Sequence, residues 1–291
     1  MSEATDFSGK EWQNFTAADL GEAALVPTML NMEEQSFYVW LTREWARGEG
    51  AIVDLGSFAG GSAACLAEGV RQAGRRQTVQ GYDKFEVGQF DAFLDRYMRY
   101  MSVPPASESP CTPRPLPEFK GTDLLPLAEF FLAPWEEGIA LHKGQIEEMS
   151  WDGPIEILVM DASKTAATME RMSETFFPHL IPGHSIVVQQ DFLWWQQPWI
   201  AVQMARLSDY FEPVAYVPNH SVSFLCKQAV PLDVLKALNV VEMSDKEMIA
   251  VLRDMKQQVK AFKMDFYMRR LISAVKANPG ARAAYRFTKR P

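Results

Sequence analysis

The sequence predicts an α/β fold built on a doubly wound sheet of mixed strand direction. Short apolar runs alternate with amphipathic stretches, and the strongest early run, 51–55, leads directly into a glycine-rich turn. Two later strand-like segments are joined only by Pro218, Asn219 and His220. Strands that alternate with helices favour a parallel sheet, whereas so short a connection permits only an antiparallel hairpin. We therefore expect five parallel strands followed by a hairpin.

The predicted elements follow these runs in chain order. The first strand and its glycine turn occupy 51–62, and a helix continues to about Ala73. The further strands are predicted at 78–83, 139–145, 155–161, 185–191, 211–217 and 221–227. Helices are predicted at about 166–180 and 200–208. Strand, helix and strand over 51–83 make a βαβ unit, so its two strands should be parallel.

The domain boundaries follow from where this alternation begins and ends. An N-terminal helical segment is predicted at 1–50, the sheet domain at 51–228 and a helical C-terminal extension at 229–291, with an unbroken helix over 243–268. A proline-rich insertion at about 84–138 interrupts the sheet domain, either as a flexible surface loop or as a lid over the site. The extension has to bury its apolar side chains on its own body or on a second subunit. We expect a homo-oligomer formed through these helices.

Composition and charge exclude several classes of protein. The sequence has no apolar run of membrane-spanning length and no signal-peptide pattern, so we expect a soluble, cytoplasmic protein without a membrane partner. Its three cysteines are widely spaced, which argues against a disulfide framework. The net charge is −8; residues 255–291 carry +9 and the remainder −17. An acidic body does not favour a nucleic-acid substrate. The basic tail either contacts an anionic partner or forms a solvated face.

The glycine turn carries a resemblance to a known family. The spacing Asp54-x-Gly56-x-x-x-Gly60-x-Ser62 resembles the first motif of class I S-adenosylmethionine-dependent methyltransferases, in the form found in catechol-type and macrocin-type O-methyltransferases. The resemblance covers about residues 30–228. It implies a Rossmann-like, seven-stranded sheet whose last strand is an antiparallel insertion. It also implies methyl transfer from S-adenosylmethionine to a hydroxyl of a small molecule, aromatic or sugar-containing, as in secondary metabolism.

The residues of the turn suit the amino-acid part of that cofactor. Gly56 and Gly60 let the backbone approach a ligand without a Cβ clash, and Ser57 lies between them. Ser62, at the start of the following helix, can donate to a carboxylate, and Asp54 can accept from an ammonium group. We therefore predict that Asp54 and the residues of the turn, Gly56, Ser57, Gly60 and Ser62, bind the methionine moiety.

Two further segments complete the predicted cofactor site. Asp83 ends the second strand, where an acid can accept from both ribose hydroxyls, although a strand-end Asp also caps turns. In the family the adenine lies after the third strand, which here corresponds to Gly144 and Gln145. The amide of Gln145 can pair with an adenine edge, whereas the alternative is a plain turn.

The candidate catalytic residues follow the fourth and fifth strands. Asp161-x-x-Lys164 resembles the Asp-x-x-Lys pattern of metal-dependent catechol-type enzymes, in which Asp binds magnesium and Lys is the general base. The resemblance implies a Mg²⁺ site of Asp161, Gln190 and Asp191, with Asp161 also near the cofactor and Lys164 at a lowered pKa. The family has an acid pair or Asp-Asn where this chain has Gln190-Asp191. The alternative is that Asp161 and Asp191 act on the substrate without metal. His220, at the hairpin tip, is another candidate base.

Three tryptophans in 192–199 form either an apolar wall for the acceptor or packing under the extension.

Two other functions stay open. A nicotinamide-dependent oxidoreductase can use the same turn, but the one Tyr-x-x-x-Lys match lies at Tyr285–Lys289, far past the sheet. A non-catalytic dimerising module can retain the same fold.

Overall fold

The computed structural model describes residues 6–88 and 121–291 of the chain. The helices in this part are α1 (Met32–Trp40), α2 (Gly61–Gln72), α3 (Leu125–Leu132), α4 (Ala166–Phe176), α5 (Pro198–Arg206), α6 (Leu232–Lys236), α7 (Asp245–Gln258) and α8 (Asp265–Ala277). The strands are β1 (Ala51–Leu55), β2 (Val79–Asp83), β3 (Ile139–Lys143), β4 (Ile155–Met160), β5 (Ile186–Gln189), β6 (Phe211–Tyr216) and β7 (Val222–Cys226). Most of the predicted proline-rich insertion, including Cys111, lies outside the described residues.

The strands form one sheet in the order β3-β2-β1-β4-β5-β7-β6. β1, β2 and β3 pair in parallel, as do β4 and β5. β7 pairs antiparallel with both β5 and β6, so the hairpin inserts its second strand next to β5. This order confirms the predicted doubly wound, seven-stranded sheet with an antiparallel last strand.

The chain forms two compact units, residues 1–145 and 146–291. In the first, Ile52, Val53 and Leu55 of β1 are buried, as expected of a central parallel strand. Helix α1 begins with a capping box, in which Asn31 and Glu34 each accept from the other's backbone N–H. Helix α3 lies within the predicted insertion and buries Leu127 and Leu132, so this part of the insertion is regular.

The helical extension is confirmed, but the unbroken helix predicted over 243–268 is wrong. α7 ends at Gln258, a short 3₁₀ turn covers Lys260–Phe262, and Lys263 has a left-handed backbone with φ of 57°. The break turns the chain so that Val259 and Met264, on either side of it, are both buried. Burial therefore outweighs local helix propensity at these residues.

The extension packs within the second unit. Helix α7 packs against α5 and α8 against α7, and Leu252, Met255 and Leu271 are fully buried there. Phe266, by contrast, is 63% exposed. The protomer thus buries most of this apolar surface itself, while the homo-oligomer stays a prediction. No helix among the described residues is long and apolar enough to cross a membrane.

Helices α1 and α2 cross closely at Gly69. A Cβ placed there would overlap the Thr42 hydroxyl and the Val39 carbonyl oxygen. We expect Gly69→Ala to lower the free energy of unfolding by about 1–3 kcal/mol, because overpacking outweighs the better helix propensity of alanine. Chemical denaturation measures this change.

Gly138→Ala is the matched control, since its Cβ would meet its nearest neighbour, the Trp135 carbonyl oxygen, at an ordinary 3.5 Å. Its stability should stay within about 0.5 kcal/mol of the wild type. Equal stability of the two variants would contradict the close crossing.

Candidate functional site

The glycine turn after β1 is held against the end of β2. The backbone N–H groups of Gly56 and Ser57 donate to the Tyr82 carbonyl at 2.8 and 3.2 Å, and Gly60 N–H donates to Ser57 at 2.8 Å. Gly56 and Gly60 have φ values of 101° and 94°, a conformation that glycine adopts without strain. A Cβ on Gly60 would also meet Leu132 at 2.8 Å. Both glycines are therefore required by the path of the turn.

Asp54 is a fully buried carboxyl group beneath this turn. The hydroxyls of Ser57 and Ser62 donate to its Oδ2 at 2.6 and 2.7 Å. Its Oδ1 is buried and has no hydrogen-bond partner among the described residues. Burial raises the pKa of Asp54 to about 6, although the two serine hydroxyls act in the opposite direction. One oxygen of a costly buried carboxylate is thus left without a hydrogen-bond partner among the described residues.

Both serine hydroxyls donate to Asp54, and their predicted role in cofactor binding stays a prediction. Ser62 was expected to donate to a ligand carboxylate, but its hydroxyl donates to Asp54. A hydroxyl has one proton to donate, so in this arrangement neither Ser62 nor Ser57 has a proton left to donate to a ligand. The remaining donors at the turn are the backbone N–H groups at the start of α2, whose N-cap, Gly60, provides no side-chain cap.

Asp83 connects the turn to the end of β3. Its Oδ2 accepts from Phe58 N–H at 3.0 Å and its Oδ1 from Phe85 N–H at 2.7 Å. Burial raises the pKa of Asp83, against the effect of these backbone donors. Gly144 N–H donates to the Asp83 carbonyl at 3.0 Å, and the following Gln145 is exposed. The first unit thus brings Asp54, the turn, Asp83 and Gly144–Gln145 to one edge.

In the second unit, a lysine bridges two carboxylates. Lys164 Nζ lies 3.0 Å from Asp161 Oδ1 and 2.6 Å from Asp191 Oδ2. Asp191 Oδ2 also accepts from Gln197 Nε2 at 2.7 Å, and Asp191 has a left-handed backbone with φ of 59°. Asp161 and Asp191 therefore lie close together on the same ammonium group, as predicted from their positions after β4 and β5.

The lowered pKa expected of a lysine base is not found. Partial burial acts to lower the pKa of Lys164, but the charges of Asp161 and Asp191 and their hydrogen bonds outweigh it, so the pKa lies above its ordinary value. Lys164 thus lies between two carboxylates that favour its charged form.

The same arrangement does not suit a resident magnesium ion. Mg²⁺ requires near-octahedral oxygen ligands at about 2.1 Å, several of them provided by water. The ammonium of Lys164 lies between the two carboxylates that would have to bind the ion. No cluster of three or more His, Cys, Asp or Glu side chains that could hold a metal occurs at residues 6–88 or 121–291. Gln190, the predicted third ligand, is largely buried.

His220 lies beside the chain that follows Asp191. Its backbone carbonyl accepts from Leu193 N–H at 3.2 Å, and its side chain is half-buried. The structure thus places the hairpin tip next to the loop after β5, and the role of His220 as a base stays a prediction.

The tryptophans divide between the two predicted roles. Trp195 and Trp199 are buried and pack edge-on against Phe287, with ring centroids 6.3 and 5.9 Å apart. These two rings pack under the extension. Trp194 is 42% exposed, and it alone of the three has substantial surface for a ligand.

Sequence reasoning missed the contact between the C-terminal segment and the lysine loop. Ala284 N–H donates to the Lys164 carbonyl, and Ala166 N–H donates to the Arg282 carbonyl, both at 2.9 Å. Gln196 Nε2 donates to the carbonyls of Ala284 and Phe287 at 3.1 and 3.0 Å. The amides Gln196 and Gln197 stand out within an aromatic stretch, which was the one available signal.

No family model and no curated protein sequence matches this chain. Solved structures with a similar fold include the SAH-bound Podospora anserina methyltransferase PaMTH1, at 12% identity and a TM-score of 0.45, over 68% of this chain and 80% of that one. A Geobacter sulfurreducens SAM-dependent methyltransferase in complex with S-adenosyl-L-homocysteine aligns at 11% identity and 0.37, over 86% and 85%. CalO1, a methyltransferase in calicheamicin biosynthesis, aligns at 9% and 0.35, over 67% and 54%. At these values, function has to be inferred from the residues of the chain itself.

Proposed function

We propose that this chain transfers a methyl group from S-adenosylmethionine to a hydroxyl group of a small molecule. The observation that carries the proposal is the buried Asp54, whose Oδ1 has no hydrogen-bond partner among the described residues, beneath a glycine turn. An unpaired oxygen of a buried carboxylate is costly unless a ligand completes it. The cofactor supplies an ammonium group suited to this oxygen.

The remaining cofactor contacts follow from the same edge of the first unit. The uncapped N–H groups at the start of α2 suit the cofactor carboxylate. Asp83 accepts one backbone N–H on each carboxylate oxygen, which leaves each oxygen a further lone pair for a ribose hydroxyl. Gly144 and Gln145, next to Asp83, would border the adenine.

The acceptor contacts would come from Asp161, Lys164, Asp191 and His220. In the reaction the methyl carbon–sulfur bond breaks with its electron pair left on sulfur, and a carbon–oxygen bond forms from an oxygen lone pair. Alignment of oxygen, carbon and sulfur supplies much of the rate. The acceptor hydroxyl has to lose its proton in the process.

Isothermal titration calorimetry with S-adenosylmethionine and S-adenosylhomocysteine tests the proposal. The wild type should bind both, and Asp83→Asn should lower affinity about 10- to 100-fold, as expected when a charged hydrogen-bond acceptor is lost. Glu137→Gln removes the same charge from an exposed position and should bind like the wild type. Binding of NAD⁺ instead of either ligand would contradict the proposal. Release of S-adenosylhomocysteine with a panel of phenols and sugars then identifies the acceptor.

A further inference from the structure

The lysine bridge has a defined backbone setting. Lys164 N–H donates to the Ala162 carbonyl at 2.7 Å, and its own carbonyl accepts from Ala284. The carbonyl of the preceding residue, Ser163, accepts from Trp199 Nε1 at 2.8 Å. The backbone on which Lys164 stands is therefore held by two other segments of the second unit.

The charged end of Lys164 is open to a ligand. An ammonium has three donors, and Asp161 and Asp191 accept from two of them. The side chain is 56% exposed, so the third donor can reach a molecule that approaches from solvent. Gln197 fixes the Asp191 end of the bridge from a buried position.

Resting on the proposed methyl transfer, we infer that the Lys164 ammonium takes the place of a divalent cation and binds the acceptor oxygen as a hydrogen-bond donor. It is held by the two carboxylates that the predicted metal site requires, and more than half of its side chain is exposed. A fixed cation stabilises the negative charge of an oxygen that has lost its proton. Lys164 is then a donor to that oxygen and not the acceptor of its proton.

This role limits the class of acceptor. A single charge shared with two carboxylates acidifies a bound hydroxyl less than a divalent ion does. The acceptor is therefore a hydroxyl that ionises readily, such as a phenol with a pKa of about 10, and not an alkyl or sugar alcohol. Its proton passes to water, the phenolate oxygen attacks the methyl carbon, and the sulfonium becomes a thioether.

Manganese binding tests the first part without any acceptor. Electron paramagnetic resonance should show that the wild type binds no Mn²⁺ at this position, while Lys164→Ala, which vacates the space between the carboxylates, takes up one ion. The double variant Lys164→Ala/Asp191→Asn should lose that ion again. Mn²⁺ binding to the wild type that disappears in Asp191→Asn would overturn the inference.

Methyl transfer to phenols and to alkyl alcohols, followed as release of S-adenosylhomocysteine, tests the second part. Lys164→Met should lower kcat about 100-fold or more, the usual effect of losing a donor to a developing oxyanion. Lys164→Arg keeps the cation and should stay within about 10-fold of the wild type, although the two side chains differ in shape. Equal losses in both variants, or faster transfer to alkyl alcohols, would overturn the inference. Calorimetry keeps the two failures apart: a wild type that binds no S-adenosylmethionine refutes the methyl transfer, whereas one that binds it but also holds Mn²⁺ through Asp191 refutes only the inference about Lys164.

Discussion

Replacing Asp54 by asparagine is expected to stabilise the ligand-free protein at pH 8 and to weaken its binding of S-adenosylmethionine. Burial raises the pKa of this carboxyl group from 3.8 to about 6. An acid whose pKa is higher in the folded state favours folding only while it is protonated. Its ionisation therefore costs stability as pH rises from about 4 to about 6, and at pH 8 the cost is about 3 kcal/mol.

Urea unfolding at pH 4.5 and pH 8 measures this effect. The wild type should lose about 2 kcal/mol more than Asp54→Asn between the two values, since part of the total is already lost at pH 4.5. Ser57 and Ser62 can still hydrogen-bond to the amide, so the variant keeps the local contacts. If the free energy of unfolding depends on pH in the same way in both proteins, burial does not raise the pKa of Asp54.

Ionisation of Asp54 destabilises the ligand-free protein but should strengthen the binding of S-adenosylmethionine. A cofactor ammonium beside Asp54 compensates the buried charge, so affinity should rise as pH increases through about 6, where the carboxyl ionises. Asp54→Asn should lose about 10-fold or more in affinity at pH 7.5, because a charged partner is removed. Calorimetry from pH 5 to pH 8 measures both trends. If the affinity of the wild type is independent of pH, the Asp54 carboxylate does not contact the ligand.

Much of the fold could be predicted because its signals are local. The parallel strands β1, β4 and β5 are short, mainly apolar runs, and the motif around Asp54 fixes a turn within a few residues. The meeting of Asp161 with Asp191 also followed from the sequence, since both come after neighbouring parallel strands. These predictions needed only chain order and the geometry of a parallel sheet.

The parts that could not be predicted depend on contacts between distant segments. The left-handed Lys263 breaks a stretch with good helix formers and no glycine, because burial of Val259 and Met264 decides the path there. The direction of the Ser62 hydroxyl depends on where Asp54 lies beneath it. The protonation of Lys164 likewise depends on two carboxylates, one of them 27 residues away. Residue type alone indicates none of these.

Phe287→Ala is expected to cause a large loss of stability in the second unit. Its ring is 2% exposed and packs on Trp195 and Trp199, so truncation leaves a cavity that costs about 3–5 kcal/mol. Phe266→Ala is a matched control, because its ring is largely exposed and its removal should change stability by less than about 0.5 kcal/mol. Thermal and urea unfolding compare the two variants. Equal losses would contradict the packing described.

The same substitution should also loosen the lysine loop. Phe287 anchors the segment whose Ala284 N–H donates to the Lys164 carbonyl and whose Arg282 carbonyl accepts from Ala166. Hydrogen exchange should therefore lose protection at Ala284 and Ala166 in Phe287→Ala but not in Phe266→Ala. If Lys164 holds the acceptor and the residues around Asp54 bind the cofactor, kcat falls in Phe287→Ala while the affinity for S-adenosylmethionine is unchanged. Unaltered protection at both amides would mean that the lysine loop keeps its position without the C-terminal segment.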